Sequence, residues 1–166
     1  MTRLAYALSY RELIVYQKAR ELSKELFHLS KTFPREEMYS LTDQLRRSSR
    51  SVGGQIAEAW AKRRYERHFV SKLTDADGEQ QETQHWIDTA LDCDYLSSQQ
   101  RDELIGKCEE IGRLLGGMIA KADRFCGTSA AQLREPEIEY YVDDHASFFS
   151  EPNEIETGHW SLITDD

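Results

Sequence analysis

Seven basic side chains lie close together near the middle of the chain. They are Arg46, Arg47, Arg50, Lys62, Arg63, Arg64 and Arg67. If one helix extends from Pro34 to about residue 64, then Arg46, Arg50 and Arg64 fall within about 40° of one another and away from its apolar residues. Guanidinium groups aligned in this way can bind phosphates bidentately. The pattern therefore predicts a surface that binds nucleic acid or another partner.

The alternative for this basic stretch is pairing with acids of the same protein. Residues 74–94 contain no Lys or Arg and seven acids, which are Asp75, Asp77, Glu79, Glu82, Asp88, Asp92 and Asp94. Ion pairs between two oppositely charged helices, within one subunit or between subunits, would fix their register, although exposed pairs contribute only about 0–1 kcal/mol each. Both interpretations stay open here, because runs of charge are usually solvated.

Two other groups of residues have types that could do chemistry. Asp75–Glu79 resembles the start of a calcium-binding loop, but the terminal Glu of a 12-residue loop is absent. Glu82, His85 and Asp88 follow one another at three-residue spacing, but acid–base catalysis also needs a cleft and a substrate. The histidines show no metal-ligand spacing. We therefore expect no catalytic residues, no metal and no cofactor.

The composition also indicates where the protein works. Cys93, Cys108 and Cys126 are odd in number and widely spaced, which is typical of neither a secreted disulfide framework nor a metal site. The first residues lack the apolar core of a signal peptide, and no stretch approaches the roughly 20 apolar residues needed to cross a bilayer. We therefore expect a cytoplasmic protein with no membrane partner.

Apolar residues recur every three or four positions in four segments, which predicts four amphipathic helices. The first helix begins at a capping box, Ser9–Glu12, and ends before Pro34, where the second begins. We place the end of the second helix near residues 64–66 and the end of the third near Tyr95. No Gly or Pro marks the first of these breaks, so one longer continuous helix is the alternative there. The fourth begins at another capping box, Ser97–Gln100, and ends at Gly127. This arrangement predicts an all-α fold, an up-down antiparallel four-helix bundle over residues 1–126.

Small residues recur at every fourth position on two of these helices. They are Ser49, Gly53, Ala57 and Ala61 on the second helix, and Gly112 and Gly116 on the fourth. Such rows allow two helices to approach closely. A contact inside one bundle and a contact between subunits explain them equally well.

Residues 127–166 differ in composition from the rest of the chain. They contain ten Asp or Glu and one base, so this segment accounts for the whole formal net charge of −9, and residues 1–126 are neutral. The segment also keeps aromatic residues that suit docking, namely Tyr140, Tyr141, Phe148, Phe149 and Trp160. We predict an acidic C-terminal tail that docks either on its own bundle or on another protein.

Further residues carry a resemblance to a known family. They are Val15–Ala19, Phe33-Pro34, Glu37, Tyr39, Leu41–Arg47, Ser51-Val52, Ile56–Glu58, Phe69, Leu73, Ala76, Gly78, Glu82, Ala90 and Tyr95-Leu96. With them, residues 10–126 resemble the four-helix-bundle family of proteins encoded in intervening sequences of 23S ribosomal RNA genes. The chain departs from the family pattern at Gln55, where Asn is usual, and at Ala59, where Gly is usual.

The resemblance implies a non-enzymatic bundle that assembles into a ring, typically a pentamer. Related accessory proteins of diversity-generating retroelements bind a reverse transcriptase and nucleic acid. We therefore expect a homo-oligomeric adaptor whose basic second helix contacts RNA, DNA or a nucleic-acid enzyme. The alternative is a regulatory or sensor subunit of a defence or mobile-element operon, which contacts an effector protein through its C-terminal tail.

Overall fold

A computed structural model describes residues 7–126 of the chain. This part contains four long helices, α1 (Ile14–Leu29), α2 (Leu41–Lys62), α3 (Glu66–Asp92) and α4 (Ser98–Ile119), and a short α5 (Ala122–Phe125). Three 3₁₀ turns, Tyr10–Glu12, Ser30–Thr32 and Arg35–Glu37, lie before α1 and between α1 and α2. No strand is present in residues 7–126. The prediction of an all-α, up-down four-helix bundle is confirmed.

The core is centred on α3, which packs against both α2 and α4. Its buried residues alternate at spacings of four and three, which is the heptad pattern of bundles with knobs-into-holes packing. They are Phe69, Leu73, Ala76, Gln80, Thr83, Ile87 and Ala90. The buried residues of α4 follow the same spacing from Leu104 through Cys108, Ile111 and Leu115 to Met118. The buried faces predicted for helices three and four are thus confirmed.

Two polar side chains are buried in this heptad row, and each has partners inside the bundle. The hydroxyl of Thr83 lies 3.0 Å from that of Ser48 on α2, and it donates to the Glu79 carbonyl at 2.8 Å. The amide of Gln80 donates to Asp77 at 3.0 Å and accepts from Gln84 at 2.7 Å. Buried polar groups require such partners. Sequence reasoning missed Gln80 because a polar residue breaks the apolar pattern.

The small residues serve helix packing inside the bundle at two positions. A Cβ added at Gly53 would lie 3.6 Å from the ring of Tyr16 on α1. A Cβ added at Gly112 would lie only 2.9 Å from the amide nitrogen of Gln80. At Gly116 a Cβ would meet nothing within 4 Å. Packing within one bundle therefore accounts for Gly53 and Gly112 but not for Gly116.

The starts of the first two helices differ from the prediction. The Ser9 hydroxyl accepts from the Arg11 N–H at 3.3 Å, and the Glu12 carboxylate accepts from the Leu8 N–H at 2.8 Å, so the expected capping box is not formed. These contacts stabilise a 3₁₀ turn, and α1 begins only at Ile14.

Pro34 does not begin α2, which starts at Leu41 instead. The Glu37 carboxylate accepts from the hydroxyl of Ser40 and, at 3.3 Å, from the N–H of Leu41, and it thereby caps α2. These hydrogen bonds, the one from Ser40 first, lower the pKa of Glu37. The cap of α2 thus comes from Glu37, four residues before the helix begins, and not from a residue at Pro34.

The other helix ends agree better with prediction. The second capping box is present, because Ser97 Oγ accepts from the Gln100 N–H at 3.2 Å and Gln100 Oε1 accepts from the Ser97 N–H at 2.9 Å. The break between helices two and three falls at residues 63–65, within about two residues of the predicted place. Helix four ends at Ile119, earlier than predicted, and Gly127 lies outside the described residues. No helix in residues 7–126 has the length and apolar character that a membrane crossing requires.

The capping box at α4 gives a stability test. Replacing Ser97 with Ala should lower the free energy of unfolding by about 1 kcal/mol, because the N–H of Gln100 loses its acceptor. Ser98→Ala, one residue further along and also exposed, should change it by less than about 0.5 kcal/mol. Urea denaturation followed by circular dichroism measures both. Equal effects of the two substitutions would contradict the assigned cap.

The cysteines give a test of the core. Burial raises the pKa of the Cys108 thiol to about 12 and also raises the pKa of the buried Cys126 thiol, whereas Cys93 is exposed. Thiolates react and thiols do not. At pH 8, a disulfide reagent such as dithiobis(nitrobenzoate) should therefore modify one thiol per folded chain rapidly and all three after unfolding. Rapid modification of two or more thiols in the folded protein would show that the end of α4 does not pack as described.

Candidate nucleic-acid interface

The seven basic residues predicted to bind nucleic acid divide between two places on the bundle. Arg46, Arg47 and Arg50 belong to the first half of α2, whereas the other four lie at or beyond its last residue, Lys62. About 18 Å of helix separates Arg50 from that end, at 1.5 Å per residue. The prediction that Arg46, Arg50 and Arg64 share one helix face is wrong, because Arg64 lies outside α2, in the connection to α3.

The first group surrounds one aromatic ring of α1. The guanidinium carbons of Arg46 and Arg50 lie 5.0 and 5.4 Å from the centroid of the Phe27 ring, and the Lys31 ammonium lies 4.7 Å from it. Cations at these distances are attracted to the face of the ring. Arg46 is half-buried, and its Nε donates to the hydroxyl of Ser30 at 2.8 Å. Arg46 therefore joins α2 to the end of α1 and is not a purely solvated binding residue.

Arg47 points elsewhere, although it is the immediate neighbour of Arg46. It is exposed, and its guanidinium lies 3.9 Å from the carboxylate of Asp43, one turn earlier on the same helix. An exposed pair at this distance contributes little. Arg47 thus offers a matched control for the structural role of Arg46.

The second group lies where the chain turns from α2 to α3. The guanidinium of Arg63 lies 4.3 Å from the ring centroid of Trp60 and donates to the Trp60 carbonyl at 2.7 Å. Arg64 and Arg67 are exposed, and so is the ring of Tyr65 between them, at 53%. The connection thus presents one ordered guanidinium and two exposed ones beside an aromatic ring.

The end of α4 adds two bases that sequence reasoning missed. Lys121 and Arg124 line the same groove as Trp60 and Arg63. The apolar floor of this groove includes Ile14 at the start of α1, so it joins three helix ends. An up-down topology places these three helix ends together. The sequence could have indicated this basic cluster, because Lys and Arg occur at the ends of both helix two and helix four. Predicting that these bases lie close together requires the direction of each helix.

Charge is therefore separated along the bundle axis. We call residues 7–14, 60–68 and 117–126 the basic end; they contain seven Lys or Arg and three acids, a net charge of +4. We call residues 30–43 and 88–103 the acidic end; they contain three Lys or Arg and eight acids, a net charge of −5. Contacts at each end support these groupings, since Phe69, the residue after the 60–68 segment, stacks on Phe125, and Phe33 lies against Tyr95.

Pairing of the α2 bases with the α3 acids is not observed in the part of the chain that the structure describes. There, no Arg or Lys of residues 41–67 lies within 4.0 Å of an α3 carboxylate. The pair that joins these helices has the opposite sense: Lys72 of α3 lies 3.1 Å from Glu58 of α2. Hydrogen bonds to Glu58 and then to Asp75 raise the pKa of Lys72. Within one subunit, the predicted pairing of α2 bases with α3 acids is thus not formed in the described residues, and pairing between subunits stays a prediction.

The α3 acids have other neighbours. Asp88 accepts from Arg101 of α4 at 2.7 Å, and this hydrogen bond is the largest of the contacts that raise the pKa of Arg101. Glu82 accepts from the indole of Trp86 at 3.0 Å, and the ring of His85 lies beside that indole. Glu82 and His85 thus both contact Trp86, whereas Asp88 contacts Arg101. In residues 7–126 no three His, Cys, Asp or Glu are placed to hold a metal ion.

The predicted docking residues of the C-terminal tail, Tyr140, Tyr141, Phe148, Phe149 and Trp160, lie outside the described residues, as does the predicted domain boundary at 126/127.

Comparison with known proteins adds two findings. Residues 11–117 match the model of a family described as 23S rRNA-intervening sequence protein. The chain is also similar to a solved structure of a protein with unknown function from the S23 ribosomal protein family of Bacteroides thetaiotaomicron. The two share 27% sequence identity and a TM-score of 0.59, over 64% of this chain and 96% of that one. No curated protein sequence matches the chain.

The contacts of Arg46 lead to a prediction that separates packing from binding. Arg46→Ala should lower the free energy of unfolding by about 1–2 kcal/mol, because Ser30, which is buried, loses a charged hydrogen-bond partner and Phe27 loses packing. Arg47→Ala removes the same charge and should change stability by less than about 0.5 kcal/mol. Chemical denaturation measures both values. A neutral Arg46→Ala would mean that its contact with Ser30 does not hold the helices together.

Proposed function

Because the chain belongs to the family of 23S rRNA-intervening sequence proteins, we propose that it is a non-enzymatic adaptor that binds nucleic acid, and RNA above all, through the basic end of its bundle. One observation carries this proposal. Within residues 7–126, none of Arg11, Arg63, Arg64, Arg67, Lys121 and Arg124 has a carboxylate within 4.0 Å. The basic end as a whole contains only three acids. Bases left unneutralised by the bundle are available to phosphates, and their release of counterions drives binding to polyanions.

The side chains at this end suit a phosphate backbone. Arg63 is already oriented by Trp60, so it loses less side-chain freedom when it binds a phosphate than an unconstrained base would. Arg64 and Arg67 flank Tyr65 in the sequence, and the exposed Tyr65 ring can stack on an unpaired base. This combination of cations and an aromatic ring favours single-stranded segments over a uniform duplex.

The Phe27 group makes a smaller contribution to this function. Its most buried member, Arg46, is engaged with Ser30, and the remaining charges of Arg50 and Lys31 are directed at the ring. These residues supplement the basic end but do not replace it.

We further propose that the protein is a homo-oligomer, with a pentamer as the expected form. Repetition of one basic end in several subunits would turn weak phosphate contacts into strong binding, because the second and later contacts are intramolecular. A nucleic-acid enzyme such as a reverse transcriptase stays a predicted protein partner, which co-purification of the expressed operon can test.

Binding to RNA tests the basic end directly. Arg64→Ser with Arg67→Ser should weaken binding of a 20-nucleotide single-stranded RNA about tenfold at 50 mM salt. The slope of log affinity against log salt should fall by about 1–1.5, since each phosphate contact in a single strand contributes about 0.7. Fluorescence anisotropy of the labelled RNA measures both quantities.

The matched control removes two exposed arginines elsewhere. Arg47→Ser with Arg113→Ser changes the net charge equally, and both side chains are about 70% exposed. This variant should bind RNA within twofold of the parent protein. Equal weakening by both variants would show an effect of total charge alone, and no RNA binding by the parent would overturn the proposed function.

The oligomer has its own measurement. Light scattering coupled to gel filtration should give a mass several times 19.3 kDa, the mass of one chain. A pentamer would be close to five times this value. A mass of one chain at micromolar concentration would remove the ring from the proposal while leaving the basic end in place.

A further inference from the structure

An apolar groove opens at the basic end of the bundle. It has a volume of about 540 Å³ and lies between the start of α1, the end of α2 and the end of α4. Its apolar lining includes Ile14, Trp60, Leu114, Met118 and Phe125. Ile14 is 61% exposed and Trp60 and Phe125 are half-buried, so the groove keeps apolar surface in contact with water. Covering such surface stabilises a protein by about 25 cal/mol per Å².

The rim of the groove is basic. Arg63, Lys121 and Arg124 line it, and within residues 7–126 none of these three has a carboxylate within 4.0 Å. Glu12 is the one acid among the residues lining it, and its carboxylate already accepts from the N–H of Leu8. An occupant that fits both features carries apolar or aromatic side chains together with several negative charges.

We propose that this groove is the docking site of the protein's own C-terminal segment, residues 127–166. The segment has the required chemistry, with ten acids against one base and with Tyr140, Tyr141, Phe148, Phe149 and Trp160 as aromatic anchors. An aromatic ring supplies the apolar contact that charge alone lacks. The acids complement Arg63, Lys121 and Arg124.

The place where the described chain ends supports the same occupant. Residue 127 follows directly on Phe125 and Cys126, and Phe125 is itself part of the groove. A segment attached at the edge of its site has an effective concentration in the millimolar range, so modest contacts suffice for high occupancy. An acidic peptide from another protein has the same chemistry but lacks this advantage.

Docking of the segment would also regulate binding at the basic end. This regulation rests on the proposed function, whereas the docking does not depend on it. Arg63, Lys121 and Arg124 belong both to the rim and to the basic end. When the acidic segment occupies the groove, these three bases are withdrawn from phosphates. The tail would then act as a competitive internal inhibitor of nucleic-acid binding.

Site-specific photo-crosslinking in the full-length chain tests the docking without any nucleic acid. A benzoylphenylalanine at position 14 replaces an exposed side chain inside the groove, and one at position 39 replaces Tyr39, 90% exposed, at the acidic end. Irradiation followed by mass spectrometry should give crosslinks from position 14 to residues 127–166, at least fivefold more abundant than those from position 39. Equal yields from the two positions would overturn the proposal.

Isotope mixing identifies the chain that supplies the occupant. Light and ¹⁵N-labelled chains are expressed separately, mixed and refolded together before irradiation, and the expected crosslinks join peptides of the same isotope label. Crosslinks that join light to heavy peptides, or that join position 14 to bundle residues of a second chain, would overturn docking of the protein's own segment.

Charge reversal tests the rim. Lys121→Glu with Arg124→Glu should reduce the crosslink yield from position 14 at least threefold, whereas Arg47→Glu with Arg113→Glu should leave it unchanged. Circular dichroism checks that both variants are folded. In the protein with an unchanged rim, 0.5 M salt should also reduce the crosslink yield from position 14, because salt screens exposed charges. A crosslink yield insensitive to both salt and charge reversal would remove the electrostatic part of the proposal.

The docking site and the proposed function can fail separately. If the protein does not bind RNA but the crosslinks from position 14 are intact, the proposed function is overturned and the docking site is not.

Discussion

The heptad row of α3 is the constraint on which the rest of the bundle depends. It runs from Phe69 to Ala90 and is buried along its whole length against α2 and α4. A helix of 27 residues is about 40 Å long, so this row sets the length of the core. Because a connection of only three residues joins α2 to α3, the two helices must run antiparallel and adjacent. The positions of α1 and α4 then follow from the apolar surface that remains.

Thr83, a polar residue in that row, selects one register of α2 against α3 among several that apolar packing alone would allow. Its hydroxyl meets that of Ser48 across the α2–α3 contact. A shift of one helical turn would remove this hydrogen bond, which contributes about 0.5–1.5 kcal/mol. Single polar residues at core positions fix register in coiled coils by the same means. Apolar area thus provides the stability, and the Thr83–Ser48 contact provides the alignment.

The sequence allowed the helices to be predicted because their buried faces follow a strict spacing, but it did not reveal how the helices start. The hydrogen bonds of Glu12 and Glu37 decide where α1 and α2 begin, whereas the sequence pattern assigned Glu12 to a capping box and Pro34 to the start of the second helix. The basic residues show a second limit. A helical-wheel projection that continues α2 to residue 64 places Arg64 on the same face as Arg46 and Arg50. Because α2 ends at Lys62, two residues earlier, Arg64 does not lie on that face. The contribution of Lys121 and Arg124 was invisible for a different reason, since charges far apart in sequence come together only through tertiary structure.

The opposite charges at the two ends give the bundle a permanent electric dipole moment. In an up-down bundle the peptide dipoles of neighbouring helices largely cancel, so the moment arises from side chains. Net charges of +4 and −5 separated by roughly 35 Å correspond to a moment on the order of several hundred debye. In the field of a polyanion such a molecule experiences a torque that turns the basic end forward before contact. Since that field decays over about 8 Å at physiological ionic strength, the alignment takes place in the last stage of approach. The same moment disfavours parallel, side-by-side packing of bundles in close contact, so subunits of an oligomer must tilt or offset their axes, or have a segment that neutralises one end.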